Sequence, residues 1–72
     1  MVFELGKYYK HESGKMMHVI VEANTTVYGD NTLIAEDDFG NLIPVGRSEY
    51  HCKNYTEIQQ DEWDRHFVAM NG

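Results

Sequence analysis

The sequence is poor in several residue types that would define a class of protein. Its single cysteine, Cys52, excludes an internal disulfide, and the Cys and His spacing does not supply the ligands of a structural zinc site. Apolar runs such as residues 19–21 are far too short to span a bilayer. Residues 1–20 lack the apolar segment of a signal peptide. We therefore expect a soluble, cytoplasmic protein with no metal and no membrane association.

Basic residues are also scarce. The chain contains six Lys and Arg and twelve Asp and Glu, which give it a formal charge of −6. Direct nucleic-acid binding needs clustered basic side chains, so a basic face for DNA or RNA is disfavoured. The acidity favours solubility, or it mimics a nucleic-acid backbone for a basic protein groove. The candidates for such an acidic face are Asp37, Asp38, Glu49, Glu57, Asp61 and Asp64.

The chain is short, and this bears on its association state. Seventy-two residues allow a single domain, 1–72, with a modest core. Such a domain buries only about 60% of the surface that its unfolded chain exposes. Without a disulfide or a metal to stabilise it, association with another copy is the expected source of further burial. We therefore predict a homo-oligomer.

Turn-forming residues divide residues 3–58 into short segments typical of a small sheet or barrel. Aromatic and alternating apolar residues predict strands at 7–11, 16–23, 32–37, 42–45 and 55–58. Turns are expected at 12–15, 29–31 and 38–41, with 24–28 leading into the second of them. Pro44 cannot donate a ladder hydrogen bond, so the fourth strand is an edge strand or ends there.

The last part of the chain has a helical period. Trp63, Phe67 and Met70 recur at i, i+4 and i+7, which predicts a helix at about 60–69. Asp61 and Glu62 place negative charge at its first turn, as the helix dipole favours. The expected fold is mainly β with a C-terminal helix: an SH3-like or OB-like barrel of four or five antiparallel strands, with the helix closing one open end.

Catalytic patterns are incomplete. Ser13 and Ser48 lack the glycines of a nucleophile elbow. His51 and Cys52 are sequence neighbours, whose side chains point opposite ways in an extended chain. Glu62 and His66 share a helix face but make only two metal ligands. We therefore predict a binding protein with no catalytic residues and no cofactor.

Aromatic, histidine and hydrogen-bonding side chains are instead concentrated in this short chain. Tyrosine rings offer stacking faces, Lys10 and Arg47 suit phosphate, and Thr25 and Asn54 suit a base edge or a ribose. Packing in a small barrel is the alternative role for the tyrosines. The predicted ligand-binding residues are Tyr8, Tyr9, Lys10, His11, His18, Thr25, Tyr28, Arg47, Asn54 and Tyr55.

The first hairpin is where we expect the ligand. A turn of four residues would pair Lys10 with Met17 and bring His11 close to His18. The two histidines could then also act as acid and base on a nucleotide, which is a minor alternative to binding alone.

Several motifs resemble a small family of bacteriophage-encoded proteins of unsettled function. They are Gly6-Lys7-Tyr8-Tyr9-Lys10-His11, Gly14, Met17-His18, Tyr28-Gly29, Leu33-Ile34-Ala35-Glu36, Gly40, Pro44-Val45-Gly46, Asn54-Tyr55-Thr56-Glu57-Ile58 and Glu62-Trp63. Gln59 departs from the capping residue expected there. By class, short acidic phage proteins resemble counter-defence proteins that act in the host cytoplasm.

That resemblance implies two mechanisms. One sequesters a small cyclic-nucleotide immune signal without cleaving it, and we expect this one for the present chain. The other occludes a host defence complex, such as a CRISPR effector, with an acidic face. A structural phage module without a defence role is a third possibility.

Overall fold

The structure is a computed structural model that describes residues 1–24 and 31–72. It contains five strands and one helix: β1 (Tyr8–His11), β2 (Met16–Glu22), β3 (Leu33–Asp37), β4 (Leu42–Val45), β5 (Tyr55–Ile58) and α1 (Gln60–Asn71). The predicted mainly β class with a C-terminal helix is confirmed, and each predicted strand lies within one residue of an observed one. The predicted segment 24–28 and turn 29–31 fall largely on residues 25–30, outside the described part of the chain.

The strands form a single antiparallel sheet in the order β4-β3-β2-β1-β5. Consecutive strands β1 to β4 are neighbours, and β5 returns to the free side of β1. Across residues 1–24 and 31–72 no ladder joins β4 to β5, so the predicted barrel closure is not found and the sheet is open. Pro44 lies in the edge strand β4, as its missing N–H requires.

Turn residues set the geometry of the two described hairpins. Gly14 has φ +99°, and its N–H donates to the carbonyl of His11 at 2.9 Å. In the β3–β4 turn, Asp37 Oδ1 accepts the backbone N–H groups of Phe39 at 2.9 Å and Asn41 at 2.8 Å. A turn closed by an aspartate side chain in this way reverses the chain within a few residues.

The sheet packs on both faces. Strand alternation directs Tyr9, Met17, Val19 and Ala35 to one face, where they form the main core. Phe3 and Cys52 also belong to this cluster, from the N-terminal segment and the β4–β5 connection. We call this side the core face. On the opposite side, the helix face, Met16 and Ile58 pack against Trp63 of α1, with Tyr8 and Phe67 around them.

Helix α1 lies against the sheet rather than over an open barrel end. Gln59 is its N-cap and forms no capping side-chain bond, and the helix runs two residues beyond the predicted end. Trp63 is its one buried residue in the described chain, whereas Met70 is 41% exposed. Only part of the apolar face formed by Trp63, Phe67 and Met70 is therefore buried against the sheet. None of the helices in residues 1–24 and 31–72 has the length and apolar character needed to cross a membrane.

A candidate cleft between the first hairpin and the last strand

The end of β1 and the start of β5 meet at one corner of the sheet. His11 is paired with Tyr55 across the ladder, and the Glu12 N–H donates to the Asn54 carbonyl at 2.9 Å. Directly opposed residues project from the same face of a sheet. The rings of His11 and Tyr55 accordingly meet edge to face, with centroids 4.9 Å apart.

A depression of about 380 Å³ opens beside this ring pair, and we call it the hairpin cleft. Its lining contains Lys10, His11, Glu12, Lys53, Asn54, Tyr55 and Thr56. A second depression of about 240 Å³ shares His11, Lys53, Asn54 and Tyr55 and adds Tyr50 and His51. Four of the predicted ligand-binding residues, Lys10, His11, Asn54 and Tyr55, therefore come together here.

Local hydrogen bonds orient the His11 ring. Its Nδ1 accepts the Ser13 backbone N–H at 3.1 Å and lies 2.8 Å from the Ser13 hydroxyl. Because Nδ1 acts as an acceptor, the proton of the neutral ring is assigned to Nε2. His11 can therefore offer an N–H donor to a ligand while its other nitrogen holds the hairpin turn.

One free ammonium group, that of Lys53, lies at the cleft. Lys53 is exposed and forms no ion pair within residues 1–24 and 31–72. Lys10 borders the cleft, but it pairs with Met16 and its Nζ lies 3.9 Å from a Glu62 carboxylate of α1, so its side chain belongs to the helix face. Glu12 adds one negative charge to the lining. The cleft therefore offers a single cation, Lys53, to an anionic ligand group.

Tyr55 is the fixed wall of the cleft. Its ring is half-buried and packs edge-on to Phe3, with centroids 5.0 Å apart, as well as to His11. Burial raises the pKa of the Tyr55 hydroxyl above its ordinary value. The group is therefore a neutral hydroxyl at physiological pH, able to donate or accept a hydrogen bond.

Tyr9 was predicted as a ligand residue, and the structure places it in the core. Its side chain is fully buried, and its hydroxyl accepts the Glu4 N–H at 2.8 Å. Burial raises its pKa. Tyr9 therefore has the alternative role expected for a tyrosine in a small β domain, which is packing in the core.

The prediction that His11 and His18 lie close together is wrong. Lys10 pairs with Met16, one residue from the predicted register, and Tyr8 pairs with His18. Since a slip of one residue exchanges the faces of a strand, His18 lies on the helix face and His11 on the core face. His18 stacks on Tyr8 at a centroid distance of 4.2 Å, beside Trp63, and burial lowers its pKa.

The remaining predicted residues lie elsewhere. The Arg47 guanidinium pairs with Glu22, and its Nε donates to the Asn31 carbonyl at 2.8 Å. These contacts hold Arg47 near the end of β2, away from the cleft. Thr25 and Tyr28 lie outside the described residues.

The sequence interpretation missed Lys53, which precedes Asn54 at the entry to β5. Tyr50, 78% exposed in the preceding connection, lines the second depression; it belongs to the aromatic concentration in the sequence but was not among the predicted ligand-binding residues. A cation directly before a predicted polar ligand residue was the available signal for Lys53. No periodic pattern marks Tyr50, because it lies outside a regular element.

The other chemically reactive groups have structural surroundings. Cys52 is 3% exposed in the core, and burial raises the pKa of its thiol. His66 Nε2 lies 2.9 Å from Asp38 Oδ2, whereas Glu62 is near Lys10, so the two do not act together. The described ranges, 1–24 and 31–72, contain no group of three potential metal ligands.

Comparison of the chain with models of known families, with curated proteins and with solved structures gives no significant match. The fold and the cleft are therefore interpreted from their own geometry.

Proposed function

We propose that this chain binds a small phosphate-bearing nucleotide in the hairpin cleft and holds it without cleaving it. The observation that carries the proposal is the convergence of Lys53, His11, Asn54 and Tyr55 on one depression of about 380 Å³. This volume lies near the lower end of the range for small-molecule sites.

Each cleft residue has a role in this proposal. The Lys53 ammonium contacts phosphate oxygens, and His11 donates from Nε2. The Asn54 amide reads a ribose hydroxyl or a base edge. The exposed ring of Tyr50 offers a stacking face beside the cleft, and base stacking on an aromatic ring contributes about 1–3 kcal/mol.

Binding without turnover is supported by the separation of the histidines. His11 and His18 lie on opposite faces of the sheet, so they cannot serve one substrate as acid and base. The phage counter-defence setting, in which the ligand is a cyclic-nucleotide immune signal, comes from the sequence resemblance and remains part of the proposal.

The acidic-inhibitor alternative is weakened by the contacts of its candidate residues. Asp38 is buried and bonded to His66, and Glu57 lies 3.4 Å from Lys7. Asp37 is held in the β3–β4 turn. Three of the six candidate carboxylates are thus engaged in contacts within the chain, whereas Glu49, Asp61 and Asp64 are exposed.

The proposal is tested by thermal unfolding with cyclic di- and trinucleotides and with cyclic ADP-ribose isomers. At a ligand concentration 100-fold above Kd, binding stabilises the fold by about 2.7 kcal/mol and raises Tm. Heat denaturation should then release the ligand intact. A panel with no Tm shift contradicts nucleotide binding, and recovery of a cleaved ligand contradicts sequestration without cleavage.

A further inference from the structure

A third depression lies on the core face, beyond Tyr55 from the hairpin cleft. It measures about 300 Å³, and Met17, Ile43 and Tyr55 supply its apolar walls. Phe39, 58% exposed at the β3–β4 turn, extends this apolar lining. Tyr55 is the one residue it shares with the hairpin cleft among the described lining residues. We call it the turn cavity.

Three charged residues line the same cavity: Lys15, Asp37 and Asp38. The Asp38 carboxylate is buried and bonded to the Met16 N–H and to His66, which leaves Lys15 and Asp37 for a ligand. Met17 pairs with Asp37, and Lys15, which directly precedes β2, lies two residues before Met17. Lys15 and Asp37 are therefore diagonal neighbours, a relationship that separates side chains by about 7–8 Å at their bases. Within the described part of the chain, neither takes part in an ion pair of 4.0 Å or less.

The Asp37 carboxylate is preorganised. Its Oδ1 already accepts two backbone N–H groups, which fixes the side-chain rotamer and leaves Oδ2 for a ligand. Lys15 is anchored at its backbone, where its carbonyl accepts the His11 N–H at 2.7 Å, while its ammonium remains exposed. The Asp37 carboxylate is thus fixed in position, whereas the Lys15 ammonium can move towards a ligand.

We propose that the turn cavity binds a free apolar α-amino acid. The ligand ammonium contacts Asp37, the ligand carboxylate contacts Lys15, and the apolar side chain lies against Met17, Ile43 and Tyr55. A volume of about 300 Å³ is at the lower end for ligand sites and suits a molecule of this size. A simple amine or a simple acid satisfies one charge alone, whereas a zwitterion satisfies both. The proposal does not rest on nucleotide binding in the hairpin cleft, although the two depressions share Tyr55.

The test is a titration of the ¹⁵N-labelled protein, followed by NMR, with leucine, methionine and phenylalanine. Isoamylamine and 4-methylpentanoate serve as half-ligands of leucine that lack one charge each. Leucine should give saturating shifts at Lys15, Met17, Asp37 and Ile43, and each half-ligand should bind about threefold to fivefold more weakly, as expected for one exposed ion pair.

Variants that remove one charge each test the two proposed ion pairs separately. In Lys15→Gln, leucine should bind no better than isoamylamine, and in Asp37→Asn, no better than 4-methylpentanoate. Asp37→Asn keeps a side-chain oxygen for the turn, and the spectrum of each free variant reports whether the fold is retained. Lys53→Gln, in the other depression, should leave leucine affinity unchanged. The inference is overturned if no amino acid gives saturating shifts, if the half-ligands bind as well as leucine, or if both charge variants retain full affinity.

Discussion

The imidazole of His18 stacks on the ring of Tyr8, with centroids 4.2 Å apart and an interplanar angle of 19°. The pair is a direct cross-strand contact between β1 and β2, and Trp63 of α1 lies 6.0 Å from each ring. His18 thus joins the helix to the sheet, on the face opposite to the hairpin cleft.

The His18 stack predicts a pH dependence of stability. Burial lowers the pKa of His18 below its ordinary value of 6.5, although Glu36 and Asp64 partly oppose the shift. As pH falls below about 6.5, the unfolded chain takes up a proton before the folded chain does. The free energy of unfolding should therefore be fully maintained above that pH and decrease between 6.5 and the lowered pKa. Urea unfolding between pH 5 and 8 measures this.

The control for that experiment is His18→Gln, which has no titrating group at the position. Its loss of stability below pH 6.5 should be smaller than that of the parent chain. An identical pH profile in both proteins would show that His18 does not carry the effect.

Asp38 joins α1 to the sheet. Its Oδ2 accepts the Met16 N–H at 3.3 Å and bonds to His66, and its carbonyl accepts from Asn71 at 2.6 Å. Asp38→Ala leaves a buried N–H without its acceptor, so it should lower the free energy of unfolding by about 2 kcal/mol. Asp64→Ala, an exposed change on the same helix, should cost less than about 0.5 kcal/mol. Chemical denaturation measures the free energy of unfolding of both variants. Equal values for the two would contradict the structural role of Asp38.

Cys52 should react slowly in the folded protein. Its thiol is 3% exposed, and burial raises its pKa from the ordinary value of 9.0, so both access and the thiolate fraction are reduced. Labelling with a chromogenic disulfide at pH 8 should be much slower in buffer than in denaturing urea. Comparable rates would mean that the β4–β5 connection opens readily.

Pro44 protects the edge of the sheet. The Asp37 N–H donates to the Asn41 carbonyl at 2.8 Å, and ladder alternation then turns the amide position of residue 44 away from β3. Pro44→Val restores an outward N–H in an apolar edge strand, so we expect concentration-dependent association. Sedimentation of the variant and the parent chain tests this, and unchanged behaviour would show that Pro44 has no protective role.

The sequence predicted strands and helix well because period-2 and period-3.6 patterns are local properties. Hairpin register, by contrast, depends on how two strands pair and not on a repeat within one of them. A one-residue difference at Lys10 moved His18 to the opposite face from His11 and divided the predicted site. Barrel closure depends on whether β4 reaches β5, which no local pattern encodes.

The candidate site was partly predictable for a similar reason. Lys10 and His11 flank a turn that the sequence marks clearly, and Asn54 and Tyr55 begin the last strand. Their meeting depends on β5 pairing with β1, a contact between distant parts of the chain. Lys53 and Tyr50 lie in the irregular connection before β5, where side-chain direction cannot be derived from a repeat.

The central claim, anion-dependent ligand binding in the hairpin cleft, is tested most directly by calorimetric titration of the best nucleotide from the thermal panel into three proteins. Lys53→Gln removes a cleft cation and should weaken binding about fivefold, the equivalent of about 1 kcal/mol. Lys7→Gln removes a lysine that pairs with Glu57 outside the cleft and should leave the affinity of the parent chain unchanged. Equal losses in both variants, or no loss in Lys53→Gln, would contradict the assignment of the ligand to this cleft.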